Sequence, residues 1–136
     1  MWPEKREEVT GAARRFLRLS GDRLRLFSPG EDPIPGVKSM PLPGHTPGQV
    51  GFTFTSGDDT LFYTADFGGH EFITLERPEW RFGFDSDAEL AKKTRGELVD
   101  VLLRNDWRVF APHFGPLGIG RVVERDSRPT WVPFSR

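Results

Sequence analysis

The chain has 136 residues, a length that suits one domain with a single hydrophobic core. Its 19 basic and 20 acidic residues give a net charge of -1, which excludes the strongly basic surface of a typical nucleic-acid binder. Cysteine is absent, so disulfides, a thiolate nucleophile and Cys-ligated metal sites are excluded. No run approaches the roughly 20 apolar residues of a membrane span, and the N-terminus is charged where a signal peptide is apolar. We therefore expect no nucleic-acid or membrane partner, and the cytoplasm as the compartment.

The N-terminal part of the chain is predicted to form a helix and a short strand. Residues 3–19 carry apolar side chains at helical spacing, and Pro3 suits a first helical turn. The inward stripe of this helix is predicted to be Val9, Ala12, Ala13, Phe16 and Leu17. Leu24 and Leu26 alternate with arginines, which predicts a strand over residues 23–27.

A β-hairpin is predicted in the middle of the chain. It follows a Pro- and Gly-rich loop over residues 28–36 and a short strand over residues 37–42. Apolar residues then alternate with small or polar ones, and a turn beginning at Gly57 separates them from a second apolar run. Residues 50–65 therefore predict two antiparallel strands.

The second half of the chain is predicted to contain a long loop, one helix and three strands. Residues 67–84 are irregular, and loops of this length in compact domains are often functional. Ser86 and Glu89 form a capping box that opens a helix ending near Asn105. Its inward stripe is predicted to be Leu90, Ala91, Thr94, Leu98, Val101 and Leu102. Strands over 107–111, 120–124 and 130–134 complete a mixed α/β arrangement.

Potential metal ligands fall at the boundaries of these elements. His45 directly precedes the predicted hairpin and Asp66 directly follows it, so both lie at its open end. His113 follows the strand predicted over residues 107–111. Imidazole and carboxylate groups at converging strand ends are ligands that suit zinc when no thiolate exists. Taken alone, these residues leave a second interpretation open, since Asp at a strand end is usually a turn residue and a loop His is usually solvated.

Several segments, in order, resemble the C-terminal half of the metallo-β-lactamase-fold hydrolases. They are LPGHTPGQVGFTF, LFYTADF, PEW with FDSD, TRGELVDVLL and VFAPHFGPLGIGRV, spread over most of residues 37–134. The resemblance implies an α/β fold class: one βα half of an αββα sandwich, with a mostly antiparallel or mixed sheet and outer helices. It also implies one partial domain over residues 1–136, closer to the lactone-hydrolysing branch than to the antibiotic-hydrolysing one.

The resemblance implies a role for each candidate residue. His45 corresponds to a ligand of the first zinc ion and His113 to a ligand of the second. Asp66 corresponds to the catalytic carboxylate that bridges both zinc ions and orients the attacking hydroxide. His70 lies in a loop that borders the substrate pocket in such enzymes, and the alternatives are a replacement metal ligand or a solvated loop residue. The implied activity is hydrolysis of a small-molecule ester or lactone by metal-bound hydroxide.

The family's N-terminal His-x-His-x-Asp-His motif has no counterpart in this sequence. This chain therefore offers each metal at most two ligands, whereas a catalytic zinc typically takes about three plus water. We expect a truncated hydrolase that is inactive or weakly active alone and has an exposed apolar sheet face, formed by Val50, Phe52 and Phe54 or by the opposite-facing set. An N-terminal-half partner or a homodimer would cover that face. The alternative is a non-catalytic remnant or interaction module that pairs through the same face.

Overall fold

The computed structural model describes residues 6–134, which form a six-stranded sheet and three α-helices. The helices are α1 (Arg6–Ser20), α2 (Glu71–Glu76) and α3 (Ala88–Arg104), and a 3₁₀ turn at Gly21–Arg23 follows α1. The strands are β1 (Val37–Pro41), β2 (Val50–Ser56), β3 (Asp59–Tyr63), β4 (Arg108–Phe110), β5 (Ile119–Arg125) and β6 (Arg128–Pro133). No helix within residues 6–134 combines the length and apolar character needed to cross a bilayer.

The strands lie side by side in the same order as in the chain. Neighbouring strands are antiparallel except β3 and β4, which are parallel and pair Phe62 with Val109. Parallel neighbours need a long crossover connection, and here that connection carries both α2 and α3. The predicted α/β class with a mixed sheet is confirmed.

One face of the sheet packs against α3 and forms the hydrophobic core. Side chains alternate along a strand, so Phe62, Val109 and Val122 of three neighbouring strands lie on the same face. They are buried together with Leu98 and Leu102 of α3. Each such side chain contributes about 1.5–3 kcal/mol by leaving water, which fixes α3 on this face.

The opposite face carries a row of aromatic side chains, Phe52, Phe54, Tyr63 and Phe110, which we call the aromatic face. Phe52 is paired with Tyr63, and Tyr63 with Phe110, across three adjacent strands. The rings of Phe52 and Tyr63 are stacked with centroids 6.5 Å apart. None of the four side chains is fully buried, and Phe54 is 43% exposed. This face contains the Val50, Phe52 and Phe54 set expected from the sequence.

The two N-terminal predictions are wrong in part. The helix predicted over residues 3–19 is observed as α1, although Pro3 lies outside the described residues. The side chain of Val9 lies outside the described part of the chain. The other residues of the predicted inward stripe, Ala12, Ala13, Phe16 and Leu17, are exposed, with Phe16 71% exposed, and the main contacts of α1 are with the 3₁₀ turn. The strand predicted over residues 23–27 is absent, and Leu26 is 80% exposed.

The remaining elements agree closely with prediction, with two corrections. The hairpin, the helix α3 and the strands β1, β4, β5 and β6 are confirmed to within a few residues. The predicted loop over 67–84 contains the short helix α2. The N-cap of α3 is Asp87 rather than Ser86, because its carboxylate accepts a hydrogen bond from Leu90 N–H at 3.0 Å.

Candidate metal site

Shortly after the end of β3, the backbone is strained at Ala65, the residue directly before Asp66. Thr64 is fully buried, and its backbone N–H donates to the carbonyl of Phe110 at 3.0 Å, which extends the pairing of β3 with β4. Ala65 then takes a φ of 49°, in the left-handed region that non-glycine residues rarely adopt. Such strain persists only where the surroundings enforce it, and it clusters at functional sites. Here it lies directly before Asp66.

Asp66 and His113 meet at one edge of the sheet. Each follows the carboxyl end of a strand, and the two strands, β3 and β4, are parallel neighbours. His113 Nε2 lies 3.1 Å from Asp66 Oδ1, and the two side chains are 52% and 54% exposed. A polar contact this exposed adds little stability. The arrangement instead leaves a carboxylate and an imidazole accessible to a ligand.

His45 lies in a turn that is fastened to the start of α3. Gly44 has a φ of 126°, and a Cβ at this position would overlap the backbone nitrogen of Ala91, so only glycine fits. The backbone N–H of Asp87 donates to the Gly44 carbonyl at 2.9 Å, and that of Ser86 donates to the His45 carbonyl at 3.1 Å. These contacts fix the backbone of His45 against the N-terminus of α3.

The imidazole of His45 contacts a buried ion pair. Its Nδ1 lies 3.2 Å from Asp85 Oδ1, and Arg95 Nη1 donates to Asp85 Oδ2 at 3.0 Å. The side chains of Asp85 and Arg95 are 1% and 2% exposed. Arg95 also donates from Nε to the Pro78 carbonyl and from Nη2 to the Trp80 carbonyl. All three guanidinium nitrogens are therefore bonded, as a buried charge requires.

The sequence patterns did not reveal Asp85 and Arg95 as site residues. Both fall in segments that resemble the family, FDSD and TRGELVDVLL, yet neither segment suggested a role for them. A usable signal exists in α3, because Arg95 lies between Thr94 and Leu98 on the buried side of the helix. Arginine is almost never fully buried unless it is paired, so this position implies a nearby carboxylate.

His70 lies at the N-terminus of α2, near the loop that carries His113. Its Nδ1 accepts a hydrogen bond from the Phe72 N–H at 3.2 Å. Glu71 Oε2 accepts from the Gly115 N–H at 3.1 Å, which ties α2 to that loop. Burial raises the pKa of the Glu71 carboxyl, but hydrogen bonds from the N–H groups of Glu71 and Gly115, together with the nearby His70, bring the pKa below its ordinary value of 4.5.

The ligand set suits zinc in type but not in number. Within residues 6–134, no group of three or more His, Asp or Glu side chains is arranged to hold a metal ion. Asp66 and His113 lie together, whereas the contact observed for His45 is with Asp85. A zinc site with three protein ligands is therefore not formed by this part of the chain alone.

Replacing Gly44 with alanine should weaken the packing of the turn that carries His45 against the N-terminus of α3. The new Cβ meets the backbone of Ala91 at a positive φ, so we expect a loss of about 1–3 kcal/mol in the free energy of unfolding, measured by urea denaturation. Gly48→Ala is the matched control, because a Cβ there meets nothing within 4 Å and should change stability by less than about 0.5 kcal/mol. Equal losses in the two variants would contradict this account of the turn.

The fold and these residues define an α/β domain with a His–carboxylate pair at the carboxyl edge of a mixed sheet. The chain belongs to the metallo-β-lactamase superfamily, whose sequence model matches residues 2–113. A comparison with curated proteins gave no match.

Solved structures with the same fold are hydrolases of about twice the length. The dizinc quorum-quenching lactonase AidC is 26% identical with a TM-score of 0.85, over 98% of this chain and 46% of AidC. The hydrolase AbOPH of the β-lactamase superfamily is 23% identical with a TM-score of 0.85, over 100% of this chain and 48% of its own. A probable metal-dependent hydrolase from Staphylococcus aureus is 16% identical with a TM-score of 0.68, over 85% and 41%. The chain thus spans a little under half of each.

Proposed function

We propose that this chain supplies one half of the metal site of a zinc-dependent hydrolase that cleaves esters or lactones. The observation that carries the proposal is the Asp66–His113 pair, held at 3.1 Å beside a strained Ala65 at the sheet edge. The chain's membership of the superfamily and its similarity to a dizinc lactonase support zinc as the metal.

In this proposal His45, Asp66 and His113 are the zinc ligands that the chain provides. Asp66 would contribute a carboxylate shared by the two metal positions and would orient the attacking water. His45 and His113 would each hold zinc through a ring nitrogen. Bound zinc supplies a Lewis acid that polarises a carbonyl oxygen and acidifies water. The remaining ligands come from a second polypeptide segment.

His70 is proposed to bind the substrate rather than the metal. Its Nδ1 already accepts the Phe72 N–H, so in the neutral ring the proton lies on Nε2. The side chain is 57% exposed, which leaves this N–H free to reach a ligand. It would donate a hydrogen bond to a carbonyl or carboxylate oxygen of a small ester, lactone or acid product.

The aromatic face is proposed to be the contact surface for the segment that completes the site. Four aromatic side chains on one side of the sheet form an apolar surface of the kind that marks an interaction site. This observation also favours the second candidate, a non-catalytic module in which two copies pair through the same face.

Zinc stoichiometry separates the two candidates. The purified chain would be mixed with the half of AidC that it does not match, and the complex analysed for metal and mass. We expect about two zinc ions per complex, as in two-metal hydrolase sites, and a mass of one chain plus one partner. A zinc-free complex or a zinc-free homodimer would overturn the hydrolase proposal, and the homodimer would support the interaction module.

A further inference from the structure

We propose that Arg95 and Asp85 act together as a positioning device that fixes the proton of His45 on Nδ1 and leaves Nε2 as a free electron-pair donor. The proposal concerns the ring of His45 alone, and its relevance to metal binding rests on the proposed function. The observation behind it is the continuous chain of contacts from Arg95 through Asp85 to His45 Nδ1.

The two oxygens of Asp85 have separate partners. Oδ2 accepts from Arg95 Nη1 at 3.0 Å and from the backbone N–H of Phe82 at 3.3 Å. Oδ1 faces His45 Nδ1 at 3.2 Å. A carboxylate paired with arginine only accepts hydrogen bonds, so His45 Nδ1 has to be the donor. In the neutral ring Nε2 is then unprotonated, and within the described residues it has no hydrogen-bond partner.

Arg95 holds Asp85 in this orientation. The guanidinium is fixed by the Pro78 and Trp80 carbonyls and lies over the Phe82 ring, with its carbon 4.7 Å from the ring centre. It therefore cannot swing away from Oδ2, and Asp85 cannot rotate without leaving a buried charge unpaired. This support fixes both the tautomer and the ring direction of His45, as groups behind metal-ligating histidines generally do.

The carboxylate–histidine pair formed by Asp66 and His113 lacks such support. Asp66 and His113 are about half exposed, and the carboxylate of Asp66 has no arginine partner among the described residues. The buried Asp85–Arg95 pair therefore supports His45, while the exposed Asp66–His113 pair is accessible to ligands. Asp85 does not contact a substrate or metal itself; it acts through His45.

The substitution Asp85→Asn tests the device because it should reverse the tautomer. Arg95 Nη1 and the Phe82 N–H both require an acceptor, so the amide oxygen takes the Oδ2 position. The amide NH₂ then faces His45 Nδ1 and donates to it, which moves the ring proton to Nε2. The same exchange of carboxylate for amide produces the wrong histidine tautomer in a serine-protease triad.

The readout is nitrogen-15 NMR of the histidine-labelled chain at about pH 8, above the ordinary imidazole pKa of about 6.5. The chain has three histidines, and a His45→Gln variant assigns the signals of His45. We expect a pyrrole-like Nδ1 and a pyridine-like Nε2 in the natural chain, and the reverse in Asp85→Asn. Asp66→Asn is the matched control and should leave the His45 signals unchanged.

A second variant keeps the test decisive if Asp85→Asn does not fold. Asp85→Leu combined with Arg95→Met removes both charges at similar volume, a change that buried ion pairs often tolerate. Without the acceptor, His45 should show an average of both tautomers. A natural chain with the proton on Nε2, or a double variant that keeps it wholly on Nδ1, would overturn the proposal.

The same variants separate this inference from the proposed function. In the complex used for zinc analysis, Asp85→Asn should weaken zinc affinity by about 10–100-fold. A reversed tautomer in a complex that binds no zinc would overturn the hydrolase and leave the role of Asp85 intact. If the complex binds zinc but Asp85→Asn leaves the tautomer of His45 unchanged, the role of Asp85 would be overturned and the hydrolase proposal would stand.

Discussion

Asp85→Ala is expected to lower the free energy of unfolding by about 3–5 kcal/mol. The substitution leaves the guanidinium of Arg95 buried, with 2% of its side chain exposed, and without its carboxylate. The Phe82 N–H and His45 Nδ1 lose their acceptor in the same step. Urea denaturation followed by tryptophan fluorescence measures the loss, since the chain contains four tryptophans.

The control is an ion pair with similar geometry on the surface. Arg108 Nη2 lies 2.9 Å from Asp59 Oδ1, with the side chains 50% and 73% exposed. Because water screens this pair, Asp59→Ala should cost less than about 1 kcal/mol. Comparable losses for Asp59→Ala and Asp85→Ala would show that burial of Arg95 carries no special cost.

Asp66→Ala should remove most of the zinc from the complex formed with the unmatched half of AidC. In the proposed site this carboxylate would be shared by both metal positions, so its loss would weaken both at once. Metal analysis after gel filtration should show fewer than about one zinc ion per complex, against about two for the natural chain.

His70→Ala is the matched comparison for Asp66→Ala. It removes the N-cap of α2, which should cost about 1 kcal/mol of stability, and should leave the zinc content unchanged. Substrate affinity should fall, because the Nε2 donor is lost. Equal zinc losses in the two variants would make His70 a metal ligand and would contradict its proposed role in substrate binding.

Elements with a strong local pattern were predictable from the sequence. The β2–β3 hairpin has alternating apolar residues and a turn at Gly57, whose φ of 59° suits glycine. The helix α3 has a long apolar stripe and an acidic N-cap. In the hairpin the local preference and the packing agree. In α3 the predicted inward residues Ala91, Thr94, Leu98 and Leu102 are buried, but Leu90 is 37% exposed and Val101 is only partly buried.

Elements that depend on distant partners were not predictable. Leu24 and Leu26 alternate as in a strand, but no strand within residues 6–134 pairs with them. The apolar stripe of α1 has helical spacing, yet its described residues Phe16 and Leu17 are exposed. The helix α2 has six residues, too few for a periodic pattern, and its N-cap is a histidine rather than one of the usual capping residues.

The candidate ligands were predicted from residue types at strand ends and from the resemblance to metallo-β-lactamase-fold hydrolases. Asp66 and His113 were both assigned to strand ends, but their contact depends on the parallel pairing of β3 with β4, which no local pattern specifies. The support behind His45 involves Asp85 and Arg95, which are 40 and 50 residues further along the chain. Such contacts arise from the tertiary fold, and the sequence indicates them only through a charged residue on a buried helical stripe.

The parallel pairing of β3 and β4 also determines when the site can form during folding. The hairpin β2–β3 closes on local contacts, but the contact between Asp66 and His113 spans 47 residues and requires the crossover with α2 and α3 to be in place. Closing such a loop carries an entropy cost that only the later packing of α3 repays. The ability to hold a ligand at this edge should therefore appear after the hairpin and together with the docking of α3, which makes it a marker of completed folding.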